Sequence, residues 1–305
     1  MSKYKPGIGI VAPSGYTLDD AAIERGIRRL EARGHAVHNY FDTGKVFQRF
    51  GGTDEARLAQ LQAAACNPDI DVVIALRGQY GLSRLLPRID FDLMAQSGKI
   101  FVGFSDFTAF QMALMAKTGA MSYAGPMFFG DFGAKEPDEF TLGDFWRCLE
   151  GPAHRIAVKE QGNPCVEASG TLWGGNLAMV LSVLGTEYFP QVDGGILFFE
   201  DVNEHPYRVE RMLLQLMHAG VIERQKAVVL GDFSSYGITP ADNGYNFGVM
   251  VDYLRSVLPV PVLTGLPFGH GRTRATIPFG AHARLVSDAD GFTLTMSGYP
   301  TIAHV

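Results

Sequence analysis

"GKIFVGFSDFTAFQMALMAKTG" occupies Gly98 to Gly119, and its hydrophobic period changes in the middle. Ile100 to Phe104 is short, apolar and partly β-branched, which predicts a buried strand. Beyond Ser105 the apolar residues Phe107, Phe110 and Leu114 recur at helical spacing, and Lys117 and Gly119 supply a cationic last turn and a C-cap. Ser105 therefore stands where a strand turns into a helix. Such a turn can hold a hydroxyl above the sheet edge, beside the free N–H groups of a helix start. A plain N-cap is the commoner role of a serine at such a place. The stretch leaves both readings open.

The same alternation extends outward. "GIGIVAP" reads as a strand, and "TLDDAAIERGIRRLEARG" as a helix with Thr17 as N-cap and Gly34 as its stop. "HAVHNY" is a second strand, "TDEARLAQLQAAAC" a second helix closed by Asn67-Pro68, and "DVVIAL" a third strand of the fully buried kind. Strands alternating with helices imply an α/β fold with a parallel sheet, whose ligands bind outside the carboxyl ends of the strands. Those ends are Ala12–Gly15, Arg77–Gly81 and Ser105-Asp106, so all should lie on one rim.

At 151–165, "GPAHRIAVKEQGNPC", the helical period lapses among prolines and glycines, and this stretch is read as a linker between a domain at 1–150 and another at 166–305. The second half holds a strand, turn and helix in "EASGTLWGGNLAMVLSVLG", a strand ending in two acids in "GGILFFED", and an amphipathic helix in "HPYRVERMLLQLMHAG". "KAVVLGDF" is a strand and "FGVMVDYLRSVL" a helix. The final segment reads as a hairpin turning at Asp290-Gly291.

Composition narrows the partners. The 305 residues exceed the usual size of one core. A net charge of −6 with no basic stripe gives no reason to expect nucleic acid. No apolar run approaches the ~18 residues of a membrane span, and "MSKYKPGIGIVAP" lacks the apolar core of a secretory signal, so a cytoplasmic protein is expected. Cys66, Cys148 and Cys165 have no zinc or CxxC spacing and are expected to be buried small hydrophobes.

Three constellations invite chemistry. Gly7, Gly9 and Ala12 satisfy a dinucleotide fingerprint, but they lie inside a strand rather than after it. Asp201, Glu204 and His205 could gather near a metal, although an acid beside Pro206 equally suits a helix start. The third is acyl transfer, which needs a base to activate a serine and an acid to orient the base. Ser105 is joined here by Glu200, at the end of "ILFFE", and His270, in the glycine-rich "GLPFGHGR". Each has a plain alternative: a strand-end charge meeting water for Glu200, a surface loop histidine for His270. His282 alternates along a strand and reads as structural. Backbone N–H groups of Asp106 and of "RGQYG" are candidates for stabilising an oxyanion.

Taken in order, "ALRGQYG", "GFSDFTA", "TLWGGNL", "LFFED" and "LPFGHGR…ATIPFGA" resemble the LD-carboxypeptidases, a serine peptidase family that includes the microcin C self-immunity proteins. The resemblance covers nearly the whole chain. It implies Ser105 as nucleophile, His270 as base and Glu200 as acid, with Gly78 and Asp106 lending oxyanion N–H groups. It also implies a doubly wound, Rossmann-like N-terminal domain and a smaller C-terminal α/β domain with a barrel-like sheet. The implied enzyme is a cytoplasmic homodimer of peptidoglycan recycling, without metal or organic cofactor. Its implied substrate is a murein tetrapeptide, with the amide of a microcin-like conjugate as the alternative within the family and a non-catalytic ligand-binding module as the alternative outside it. One departure is that Gln79 stands where the family pattern has a glycine. Arg77 and Arg84 are the nearby cations that could hold a substrate carboxylate, and sequence does not choose between them.

Overall fold

The structure, a computed structural model, describes residues 5–302. The reading of the chain's first residues therefore lies partly outside the described residues.

Short apolar runs with no polar face need cover on both sides, and they receive it. β1 (Ile8–Val11), β2 (Val37–Asn39), β3 (Val72–Ala75), β4 (Ile100–Gly103) and β5 (Ser122–Ala124) form a parallel sheet in the order β2-β1-β3-β4-β5. All residues of β1, β3 and β4 are buried. The connecting helices are α1 (Asp20–Ala32), α2 (Asp54–Cys66), α3 (Phe91–Gln96) and α4 (Thr108–Thr118). α3 packs on both α2 and α4, while α1 packs on the turn Phe128–Phe132 that also meets α5 (Glu139–Glu150). This is the doubly wound α/β arrangement, with its strand order reversing between β1 and β3.

A second, mixed sheet has the order β10-β9-β8-β7-β12-β13-β6. Its strands are β6 (Ala153–Val158), β7 (Val166–Asn176), β8 (Ile196–Val202), β9 (Ala227–Ser234), β10 (Val262–Thr264), β12 (His282–Ser287) and β13 (Phe292–Ser297). α6 (Leu177–Ser182), α7 (Pro206–His218) and α8 (Phe247–Val257) accompany it. The loop after edge strand β6 reaches the opposite edge. Asn163 donates from Nδ2 to Thr264 O at 3.1 Å and accepts from Thr264 N at 2.8 Å, occupying backbone groups of β10. β11 (Ile277–Phe279) leaves this half and pairs antiparallel with β5, so the first sheet is completed by a late segment of chain.

Several local expectations change. Thr17 is not the cap of α1: its Oγ1 accepts from Asp19 N, and Asp19 caps the helix through Ala22 N. The stretch 151–165 is not structureless, because β6 runs through it. Its alternation is masked by His154, a polar residue on the buried face that bonds Asp144 Oδ2 at 3.1 Å. Of the cysteines only Cys148 is buried, whereas Cys66 at the end of α2 and Cys165 in the loop before β7 are exposed.

Asp144 ties these parts together. Besides His154 on β6 it accepts from Thr276 N, at the entry to β11, at 2.8 Å. Replacing it by alanine orphans two buried donors, each costing about 1–3 kcal/mol. Asp144→Ala should lose about 2–5 kcal/mol of unfolding free energy in urea titration; a loss below about 1 kcal/mol would show that the junction does not depend on it.

Candidate active site

The end of β4 is where the opening stretch of sequence turns. Ser105 begins a short turn, Ser105–Phe107, and α4 starts only at Thr108. Its φ is +62°, a conformation that non-glycine residues seldom adopt and that the surroundings must enforce. The serine caps neither the turn nor α4, so the plain N-cap reading does not hold. Its hydroxyl lies 3.1 Å from His270 Nε2.

His270 reaches it from the loop after β10. Gly269, at φ +149°, lets that loop approach the strand ends: a Cβ there would sit 2.7 Å from Asp232 Cβ and 3.2 Å from Glu200 Cβ. His270 Nδ1 is 2.6 Å from Glu200 Oε2, a contact that makes Nδ1 the protonated nitrogen and leaves Nε2 to accept from Ser105. The ring also packs on Phe104, centroids 4.9 Å apart.

Glu200 is fully buried, so it is not a strand-end charge meeting water. Between Phe199 and Asp201 the pairing of β8 with β9 slips, so Glu200 faces two residues, Gly231 and Asp232. In a regular strand consecutive side chains point to opposite faces, yet Glu200 and Asp201 both bond Asn176. Asn176 Nδ2 donates to Glu200 Oε1 at 3.1 Å and to Asp201 Oδ1 at 3.0 Å. Asn176 is itself held by Thr108 of α4, whose Oγ1 accepts from Asn176 N at 3.1 Å. Burial, with the neighbouring charge of Glu200 adding to it, raises the Asp201 pKa to about 6.

The rim gathers beside the serine. A Cβ on Gly78 would lie 2.7 Å from Ser105 Oγ and 3.4 Å from Asp106 N, so only glycine fits and both backbones border the space next to the hydroxyl. Gly15 N donates to Gly78 O at 2.9 Å. The Asp106 carboxylate is buried and links three loops: it accepts from Ser14 Oγ at 2.6 Å and from Leu82 N at 2.9 Å. Burial pushes its pKa up. Gln79, in the family's glycine position, takes φ +79°, so the backbone keeps the left-handed turn that a glycine favours.

Sequence pattern does not single out Asn176, the Asp106 side chain or Arg274. Only the adjacency of Asn176 to the double glycine in "TLWGGNL" marks the first. Arg274 is buried, donates from Nε to Gly269 O at 2.8 Å, meets both oxygens of Asp131 from Nη1 at 2.7 and 2.8 Å, and covers Phe104 at 3.9 Å. It thereby braces the histidine loop. Other candidates fall elsewhere. Gly9 lies within β1, His205 caps α7 and meets Asp242 at 3.1 Å, and His282 is an exposed residue of β12.

The chain matches the model of the LD-carboxypeptidase N-terminal domain over residues 8–125 and that of the C-terminal domain over 169–285. It belongs to the LD-carboxypeptidase family. By family, then, it is a peptidase. It is 30% identical to the murein tetrapeptide carboxypeptidase of Pseudomonas aeruginosa, over 91% of this chain and 92% of that one. The crystal structure of a muramoyltetrapeptide carboxypeptidase from Oxalobacter formigenes shares 48% identity and a TM-score of 0.93, over 97% and 100% of the two chains. The microcin C7 self-immunity protein MccF of Escherichia coli is 25% identical over 89% of this chain and 87% of its own.

The Asp201 pKa sets a signed pH dependence. Because it is raised above the ordinary 3.8, the native state holds this proton more tightly than the unfolded chain. The stabilisation is whole below about pH 4 and is lost as pH rises through about 6. Relative to Asp201→Asn, the wild type should lose about 3 kcal/mol of unfolding free energy between pH 3 and pH 8. A pH-independent difference would contradict this.

Proposed function

We propose that this protein is a serine LD-carboxypeptidase that removes the terminal D-alanine of a murein tetrapeptide. The single observation that carries the reading is the continuous hydrogen-bonded line from Ser105 through His270 to the buried Glu200. Ser105 Oγ attacks the carbonyl carbon of the preceding L-configured centre, and His270 Nε2 takes its proton. Negative charge developing on the carbonyl oxygen is met by the backbone N–H groups of Gly78 and Asp106. The C–N bond breaks as His270 returns the proton to the amine of D-alanine. Water, deprotonated by the same imidazole, then attacks the acyl-serine ester, and His270 passes that proton to Ser105 Oγ as the shortened peptide leaves with a new carboxylate. Glu200 holds the ring and stabilises its cation, and Asn176 holds Glu200. Every proton has a carrier within the chain, so the scheme calls for no cofactor.

The reading extends to its setting: a cytoplasmic homodimer acting in peptidoglycan recycling, with residues 1–150 and 166–305 as two domains that build the site between them. The likeness to MccF supports a second reading, hydrolysis of a microcin-like peptidyl-nucleotide amide by the same residues.

Mass spectrometry after incubation with a defined murein tetrapeptide should show loss of D-alanine alone. Ser105→Ala should fold and lower kcat by about four orders of magnitude or more, and Glu200→Gln by roughly the same. Near-normal turnover in Ser105→Ala would refute the mechanism. Cleavage confined to a microcin-like conjugate would favour the second reading.

A further inference from the structure

The structure separates the two arginines that sequence left as equals. Arg84 is already paired, its Nε 3.2 Å from Asp54 Oδ2. Arg77 has no carboxylate partner among the described residues. It is half-buried, donates from Nη1 to Tyr16 O at 3.0 Å, and lies over the Phe129 ring at 5.2 Å. Burial without a counter-charge holds its pKa below the usual arginine value. A guanidinium has five donors, and one carbonyl does not saturate them. An anion arriving from outside would supply both the missing charge and the missing acceptors.

Arg77 lines a cavity of about 470 Å³ together with Tyr16, Gln48, Arg49 and Gln79, and no acidic side chain lines it. Arg49 is exposed and likewise has no carboxylate partner among the described residues; its guanidinium sits 5.9 Å from the Tyr80 ring centre. Gln48 and Gln79 both hold left-handed backbone conformations, with φ +53° and +79°. Unfavourable backbone conformations of this kind gather where a fold presents groups to a ligand. Two residues of its wall, Arg77 and Gln79, flank Gly78 in the chain, and Gly78 packs against Ser105.

We propose that this cavity is the subsite for a substrate carboxylate, with Arg77 and Arg49 as its cationic wall and the amides of Gln48 and Gln79 as further hydrogen-bonding partners. The inference rests on the peptidase reading above and extends it to recognition. The carboxylate is either the terminal one, on the departing D-alanine, or one on the acyl portion of the peptide.

Steady-state kinetics with the free-acid tetrapeptide, and with forms amidated at each carboxyl in turn, test the assignment. Arg77→Gln should raise KM for the free acid by about 10- to 100-fold, the range of a charge-assisted hydrogen-bonded pair, with kcat altered by less than about threefold. Arg49→Gln should raise it by about three- to tenfold, and Arg77→Lys should recover part of the loss. Arg84→Gln removes the same unit of charge from the same rim and should leave KM unchanged, which separates local recognition from long-range attraction. Amidating the recognised carboxyl should raise the wild-type KM comparably and abolish the difference between wild type and Arg77→Gln; the amide that does so identifies the source. The subsite is overturned if Arg77→Gln and Arg49→Gln raise KM no more than Arg84→Gln, or if their penalty persists with every amidated peptide. If the wild type releases no D-alanine, the peptidase reading falls separately. Calorimetric binding of the tetrapeptide to Ser105→Ala, with and without Arg77→Gln, then decides the subsite: weaker binding with the second change supports it, and equal or absent binding overturns it.

Discussion

A carboxyl group taken wholly out of water must find hydrogen-bond partners for both oxygens, and Glu200 is such a group. Its two oxygens are met by His270 from the loop after β10 and by Asn176 from the end of β7. That requirement draws three separate segments to one point. The histidine completes the arrangement by turning its other nitrogen to Ser105, in the turn that follows β4 of the other sheet. The proposed chemistry therefore depends on how the two sheets dock, and the docking is reinforced where polar groups bridge them. Asp144 serves Thr276 N and His154, Arg274 pairs with Asp131, and Thr108 accepts from Asn176 N.

The rim also departs from regular backbone geometry. Ser105 and Gln79 take left-handed φ values, and the β8–β9 register slips at Glu200. Each left-handed non-glycine residue costs on the order of 1–3 kcal/mol and persists only because its neighbours leave no alternative. At Ser105 the enforcing neighbours are the Gly78 backbone and the network around Asp106. Beside the slip, two consecutive acids, Glu200 and Asp201, both reach Asn176. The strain and the proposed reactive groups coincide, as expected when a rigid sheet positions a side chain that a relaxed turn would aim elsewhere.

Local signals announced much of the architecture. Asn67-Pro68 marks the end of α2, Asp290-Gly291 marks the hairpin of β12 and β13, and the apolar runs of β1, β3 and β4 required a covered parallel sheet. Where local signals competed, the prediction slipped. Thr17 and Asp19 are both good caps, and only the turn through Thr17 decided for Asp19. β6 was hidden because its inward-facing His154 looks like a surface residue until Asp144 is placed beside it.

The residue types at Ser105, His270 and Glu200, the strand-to-helix junction that carries the serine, and the parallel order of the first half were determined by the sequence itself, because helix and strand periods and turn residues are local properties. Tertiary structure alone decided that Ser105 is no cap, that Glu200 is buried, that Asn176 and Arg274 brace the array, and that Arg84 is spent on Asp54 while Arg77 is not. Burial and pairing depend on groups far apart in the chain, Ser105 and His270 being 165 positions apart, and no local pattern encodes which of them meet.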